Sequence, residues 1–198
     1  MSVKFCLALL ALSSLTAAAD PDCEELIKPL EDRSKLPGKW IYTAGTSDNK
    51  ELLEELKMVN SSWIELSPIP DSTDMTLRWG DKLNEKCVHG STNSTSTENS
   101  TSVTFHFNST THVHVGKHLQ TCPDCILWTD NFVSEDKNTA TTRKGRNLYL
   151  FTKTGALDAS HLEEFKKQAA CLNFQAEFHF GEATDLCPDA ADAKEEEQ

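Results

Sequence analysis

Four asparagines stand in the Asn-x-Ser/Thr triplet that can receive an N-linked oligosaccharide: Asn60, Asn93, Asn99 and Asn108. The last three fall in one short stretch rich in serine and threonine. Attachment of a sugar requires passage through the secretory lumen and a position on the protein surface. A stretch of this composition also produces such triplets by chance. The pattern therefore predicts a glycoprotein and leaves the occupancy of each site open.

Residues 1–19 have the order of a secretory signal peptide. Lys4 precedes an apolar run over residues 5–12, and three alanines at 17–19 stand before Asp20. The apolar run is too short to cross a bilayer, and no other stretch reaches the roughly 18 apolar residues of a membrane helix. We therefore expect cleavage after residue 19, an extracellular product in plasma or another body fluid, and no membrane insertion.

Removal of the signal takes away one of the seven cysteines and leaves an even set. The remaining cysteines are Cys23, Cys87, Cys122, Cys125, Cys171 and Cys187. An even number in an oxidising compartment predicts three disulfides and no free thiol. Cys122 and Cys125 have the spacing of a redox Cys-x-x-Cys motif, but that motif lies between a strand and a helix, and here strands are predicted on both sides. A structural disulfide is the favoured interpretation.

The chain has 198 residues and a formal net charge of −12 at pH 7. An acidic surface repels nucleic acid and anionic membranes, so neither is an expected partner. Residues 20–187 fit one domain, and residues 188–198 form a predicted acidic flexible tail.

The pattern along the chain is mainly that of short strands. Strands are predicted at 40–44, 58–67, 74–83, 86–93, 101–107, 111–119, 125–133 and 146–153, from β-branched and aromatic residues with period-two alternation. Helices are predicted over 22–30 and from about residue 158 to 172, and a return strand over 174–180. Eight antiparallel strands with a helix outside them predict an up-and-down barrel whose mouth can hold one small ligand, although a sandwich shares this pattern.

The segment Leu36-Pro37-Gly38-Lys39-Trp40 resembles the Gly-x-Trp signature of the lipocalin family. The spacing of Cys87, Cys171 and Cys187 is similar to that of the orosomucoid (alpha-1-acid glycoprotein) branch, and more closely to the fish relatives that bind tributyltin, saxitoxin or tetrodotoxin. The resemblance covers essentially the whole chain after the signal. It implies an all-β, eight-stranded antiparallel up-and-down barrel with a C-terminal α-helix packed outside and with Trp40 at the barrel floor.

The same resemblance implies the disulfides Cys23–Cys171 and Cys87–Cys187, which leaves Cys122 with Cys125. Two other family signatures are absent. Residues 121–125 replace a Thr-Asp-Tyr motif, and Lys153 occupies the region of an arginine that covers the floor tryptophan in the family.

Alternation along the strands predicts the side chains that face the cavity, and for strand two the inward face, with Ile64 and Leu66, is the one that the orosomucoid-like resemblance implies. Fixing Trp40 inward also turns Tyr42 and Ala44 inward, whereas strand seven stays ambiguous because Trp128 and Thr129 alternate on opposite faces. The predicted ligand-binding residues are Tyr42, Ile64, Leu66, Leu77, Trp79, Asp81, Phe105, Trp128, Tyr149 and Phe151. For the aromatic residues of this set other than Trp79, ordinary core packing is the favoured interpretation.

Trp79 is the strongest candidate, because Asp81 shares its strand face and an aromatic ring beside a carboxylate can hold a cation. Asp81 must then be paired or lie at the wet mouth. Tyr42 and Tyr149 supply hydroxyls that can orient a polar group. His112 and His114 have a spacing that suits zinc, but exposed strand histidines are more common, so neither a metal nor a cofactor is predicted.

The predicted function is reversible binding and transport of a small hydrophobic or amphiphilic ligand by a monomer that carries N-linked glycans. The resemblance suggests xenobiotics such as tributyltin or tetrodotoxin-like and saxitoxin-like toxins. The alternative is an orosomucoid-like acute-phase plasma protein that modulates the immune response. A lipocalin-type enzyme is disfavoured, because the even cysteine count leaves no free thiol and no catalytic spacing stands out.

Overall fold

The computed structural model describes residues 21–107 and 109–189, so the predicted signal peptide, Asn108 and residues 190–198 lie outside it. The elements are α1 (Pro21–Leu26), a 3-10 turn (Arg33–Lys35), β1 (Gly38–Ser47), α2 (Lys50–Leu56), β2 (Val59–Pro68), β3 (Met75–Leu83), β4 (Lys86–Ser96), β5 (Thr101–Phe107), β6 (Thr110–Leu119), β7 (Cys125–Asp136), β8 (Thr141–Thr152), α3 (Ala159–Cys171) and β9 (His179–Phe180). Within these residues no helix has the length and apolar character needed to span a membrane.

The strands close into one antiparallel barrel. Consecutive strands pair from β2 to β8, and β1 completes the ring because its first half pairs with β2 and its second half with β8. Trp40 lies opposite Ile64 on one side, and Tyr42 lies opposite Phe151 on the other. Closure satisfies both edges of the sheet, which an open sheet leaves unpaired. The predicted eight-stranded barrel is confirmed, and the sandwich alternative is wrong.

A bulge in β1 corrects one sequence-based assignment. The register shifts between Tyr42 and Ala44, and an extra residue in one strand reverses the alternation beyond it. Tyr42 therefore faces the barrel interior, whereas Ala44 is fully buried outside the barrel, against Leu127 and Phe165. The prediction that Ala44 faces the cavity is wrong for this reason.

Helix α3 packs on the outside of the barrel, as predicted. Asp158 caps its first turn by accepting a hydrogen bond from the backbone N–H of His161 at 2.9 Å. Its apolar positions Phe165 and Ala169 are fully buried against Leu148 and Leu150 of β8. This layer forms a second core, separate from the barrel interior.

Three local elements differ from the sequence predictions. Helix α2 is absent from those predictions, although Asn49 caps it and its own residues Leu52 and Leu53 form a buried face. Helix α1 ends at Leu26 because Pro29 pairs as a β-bridge with Leu119. The predicted return strand shrinks to the two residues of β9, which pair with β1 beyond its bulge.

The structure contains the three implied disulfides, Cys23–Cys171, Cys87–Cys187 and Cys122–Cys125. The first joins α1 to α3, and the second holds the segment after β9 against β4. That segment also covers Trp63, whose indole N–H donates to the carbonyl oxygen of Cys187 at 2.8 Å. Trp63 thus lies outside the barrel, as strand alternation predicts.

Candidate ligand-binding site

The barrel has a closed floor and an open mouth. Trp40 is buried at the floor, where its indole N–H donates to the Leu36 carbonyl oxygen at 2.8 Å. The ammonium of Lys153 lies 3.4 Å from the centroid of the Trp40 ring, so a lysine covers the floor tryptophan through a cation–π contact. Leu66, Met75 and other apolar side chains fill the space directly above it.

Above this packed floor lies a cavity of about 330 Å³. All ten predicted ligand-binding residues lie in its wall. The wall also contains residues outside that predicted set: Arg33, Leu56, Val59, Ser62, Met75, Ser94, Thr101, Val103, Phe107, His112, His114, His118, Ile126 and Asp130. Alternation along β3 and β5 predicts that Met75 and Phe107 face inward. Arg33 and Leu56 belong to elements outside the barrel strands, so strand alternation does not predict them.

An aromatic cluster forms the wall near the mouth. The rings of Trp79 and Phe105 meet edge to face with centroids 5.0 Å apart, and Phe107 stacks on Phe105 at 6.2 Å. Trp79 pairs across the sheet with Gly90. A β-carbon on Gly90 would lie 1.9 Å from Cζ2 of Trp79, so the indole can occupy this position only because residue 90 is glycine.

Asp81 lies beyond Trp79 toward the mouth end of β3. Its cross-strand partner is Ser62. Burial raises the pKa of the Asp81 carboxyl, while a hydrogen bond with the Ser62 side chain and the nearby His89 oppose that rise. Asp81 as a whole residue is half-buried, and the Ser62 side chain is the hydrogen-bond partner of its carboxyl group. The structure therefore combines the two arrangements expected from the sequence, a partner and a place near the mouth.

The hydroxyls of Tyr42 and Tyr149 are neutral cavity groups. Burial raises the pKa of both phenols, and the carboxylate of Asp130 adds to the effect at Tyr149. Tyr42 donates to the carbonyl oxygen of His179 at 3.2 Å, so its proton is directed toward that backbone group. The two rings lie edge to face, 6.4 Å apart.

Strand β7 turns Ile126, Trp128 and Asp130 inward, which settles the face that the sequence left ambiguous. The side chain of Asp130 is fully buried and has three N–H partners. These are Trp128 Nε1 at 2.6 Å, His114 Nδ1 at 3.0 Å and Asn147 Nδ2 at 3.0 Å. Three donors offset the cost of removing a carboxylate from water. Sequence reasoning missed this cluster because its members come from three strands.

The cavity histidines differ in their surroundings. Burial lowers the pKa of His118 to about 3, with the charge of Arg33 as a smaller cause. Burial also lowers the pKa of His112, near the mouth. The spacing of His112 and His114 places both in the cavity wall, but no group of three or more His, Cys, Asp or Glu side chains that could hold a metal ion occurs in residues 21–107 and 109–189.

Sequence comparisons with family models and with curated proteins find no match. Solved structures do match. The siderocalin Ex-FABP aligns with a TM-score of 0.56 and 13% identity over 78% of this chain and 95% of its own. The bovine lipocalin allergen Bos d 2 aligns with a TM-score of 0.59 and 17% identity over 79% of this chain and 99% of its own. The odorant-binding protein OBP1 aligns with a TM-score of 0.61 and 16% identity over 81% of this chain and 99% of its own.

The fold is that of the lipocalins. This chain has three features that match that fold: a closed eight-stranded barrel, an additional short strand, and a C-terminal helix outside the barrel. At these identities the likeness concerns the fold alone. Membership of the orosomucoid branch stays a prediction from the sequence.

Proposed function

We propose that this protein is a secreted carrier that binds and transports a small hydrophobic or amphiphilic ligand reversibly in the barrel cavity. The observation that carries this proposal is the hollow of about 330 Å³ with a predominantly apolar wall, open at the mouth and closed at Trp40. Burial of apolar ligand surface contributes roughly 25 cal/mol per Å². The polar groups in the wall then select the ligand and its orientation.

The role is binding rather than catalysis. The similar structures include a siderocalin described as having dual ligand specificities and an odorant-binding protein, which supports a ligand-binding use of the same fold. The ten predicted residues, from Tyr42 to Phe151, are the proposed contacts. Trp79 and Asp81 form the narrower proposal: a cationic or electron-poor xenobiotic, such as tributyltin or a guanidinium toxin of the tetrodotoxin or saxitoxin type, binds between ring and carboxylate.

Secretion and glycosylation are part of the same proposal. The three disulfides suit an oxidising compartment. The asparagines at three of the four acceptor triplets, Asn60, Asn93 and Asn99, are exposed, as attachment of a sugar requires. We propose that residues 1–19 are removed, that residues 20–187 form the carrier domain, and that residues 188–198 are an acidic tail.

Tryptophan emission tests the proposal directly. We expect titration with tributyltin chloride, tetrodotoxin or 1-decanol to change the emission of the intact protein for at least one ligand, because Trp79 and Trp128 line the cavity. Trp79→Phe should remove most of that change. Trp63→Phe is the matched control, since Trp63 lies outside the barrel. An emission change that survives Trp79→Phe but disappears with Trp63→Phe contradicts the proposed site.

A further inference from the structure

Arg33 reaches the cavity from below its floor, and within residues 21–107 and 109–189 it is the one arginine of the cavity wall. Arg33 begins the 3-10 turn that precedes β1, and Asp32 fixes this turn by accepting a hydrogen bond from the backbone N–H of Ser34 at 3.0 Å. The Arg33 side chain enters the cavity wall. The guanidinium therefore lies at the closed end of the barrel, the end at which Trp40 is buried.

The partners of this guanidinium are neutral. Its Nη2 donates to the hydroxyl oxygens of Ser96 at 2.8 Å and Thr101 at 3.2 Å, at the adjoining ends of β4 and β5. The ion pairs formed among residues 21–107 and 109–189 do not include Arg33. A guanidinium carries five N–H donors in a planar fork that suits a carboxylate. Arg33 therefore has further N–H groups that can donate hydrogen bonds to an acidic group.

The other charged groups of the cavity also favour an acidic ligand group at the floor over one at the mouth. Asp81 lies toward the mouth, about 20 Å along β3 from Met75 at the floor, at roughly 3.3 Å per residue. The Asp130 carboxylate is already bound by three N–H donors. His118 adds no positive charge at neutral pH, because burial and Arg33 lower its pKa to about 3. An acidic group is therefore repelled at the mouth and attracted at the floor.

We propose that Arg33, with Ser96 and Thr101, forms an anion subsite at the cavity floor, and that the ligand is an acidic amphiphile bound with its acid group at this floor. This inference rests on the proposed carrier function and is the alternative to the cationic ligand proposed between Trp79 and Asp81, because it gives the ligand the opposite charge and places that charge at the floor. The apolar chain then extends along Ile64, Leu77 and Trp79 toward the mouth.

Isothermal titration calorimetry with three ligands of equal chain length tests the subsite. Decanoate, 1-decanol and decyltrimethylammonium share a ten-carbon chain and differ in charge. At pH 7.4 we expect the intact protein to bind decanoate about 10-fold to 100-fold more tightly than 1-decanol, since a hydrogen-bonded charge pair contributes this much. Arg33→Gln should remove that preference, so that decanoate binds no more tightly than 1-decanol. Arg33→Lys should restore part of it.

Lys35→Gln is the matched control, because it removes the same charge from an exposed position of the same turn. Its decanoate affinity should equal that of the intact protein. If 1-decanol binds while decanoate gains nothing, or if Arg33→Gln and Lys35→Gln have equal effects, the anion subsite is wrong and the carrier function stands. Tighter binding of decyltrimethylammonium than of decanoate overturns the subsite as well. If none of the three ligands binds, the carrier function falls too.

Discussion

The indole of Trp79 lies against the backbone of Gly90 on the neighbouring strand. This contact gives the aromatic cluster a fixed position in the cavity wall, because a ring placed between strand backbone and the Phe105 edge has little freedom to turn. The shape of the wall therefore depends on a residue that has no side chain. Asp130 shows the complementary case, since a charged group is held in the wall by the side chains around it.

Gly90→Ala should couple to Trp79. In the intact protein we expect the added methyl group to cost about 1–3 kcal/mol in the free energy of unfolding, because it overpacks the indole. In a Trp79→Ala background the same change should stabilise slightly, since alanine in a strand lowers the entropy cost of folding relative to glycine. Urea unfolding of the four proteins gives the coupling energy. Equal costs in both backgrounds would show that the ring does not meet residue 90.

Asp130→Asn should lower the free energy of unfolding by about 1–3 kcal/mol, because the amide turns an N–H group toward one of three buried donors. Asn131→Asp exchanges the same two side-chain types at the next, exposed residue of β7 and should change stability by less than about 0.5 kcal/mol. Urea denaturation measures both. A similar small effect at the two positions would contradict the buried carboxylate cluster.

At the scale of elements, helix α2 lies between β1 and β2 at the mouth end of the barrel. Leu52 and Leu53 anchor it, and Leu56 enters the cavity wall. Asn49 caps it by accepting hydrogen bonds from the backbone N–H groups of Glu51 and Leu52. The helix is short, so its stability depends on this cap and on its buried face. We therefore expect that opening of α2 would give a ligand a way into the cavity.

Asn49→Ala should destabilise α2 locally by about 1 kcal/mol, the usual cost of losing such a cap. We expect faster hydrogen exchange in α2, faster association and dissociation of a bound ligand, and unchanged exchange in β7 and β8. Asn49→Asp separates two effects, because it keeps the cap but loses the amide donor to the Lys144 carbonyl oxygen. Unchanged α2 exchange in Asn49→Ala would exclude the cap as the control of the mouth.

At the scale of the whole molecule, two cores and two long-range disulfides hold one barrel. Cys23–Cys171 and Cys87–Cys187 close loops with sequence separations of 148 and 100 residues. In the chain-entropy model each contributes about 4–5 kcal/mol by restricting the unfolded chain. This stabilisation compensates for a hollow that contributes no packing of its own.

Acid should destabilise the fold through the cavity histidines. The pKa of His118 is about 3 in the native state and about 6.5 in an unfolded chain, so between these values the unfolded state binds more protons. Stability is therefore lost as the pH falls from 6.5 toward 3, by up to about 1.4 kcal/mol per pH unit from this residue. Urea midpoints from pH 7 to 4 measure the slope. The slope should be smaller in His118→Gln, and an equal slope would contradict a neutral buried imidazole.

The sequence pattern predicted the number of strands, the inward faces of β3, β5 and β8, and the outer helix, whereas the inward face of β2 came from the resemblance. These features are local, because alternation along one strand relates each side chain to its neighbours. The ten predicted residues come together in one cavity for this reason. The cysteine pairing came from a resemblance and agrees with the structure.

Tertiary structure alone decided the remainder. Alternation cannot indicate which face of β7 closes inward, nor that a bulge after Tyr42 sends Ala44 outward. The floor position of Arg33 depends on Ser96 and Thr101, more than sixty residues away along the chain. The physical reason is the same throughout: closure of the ring fixes contacts between distant strands, and no local period in the sequence records which distant groups will meet.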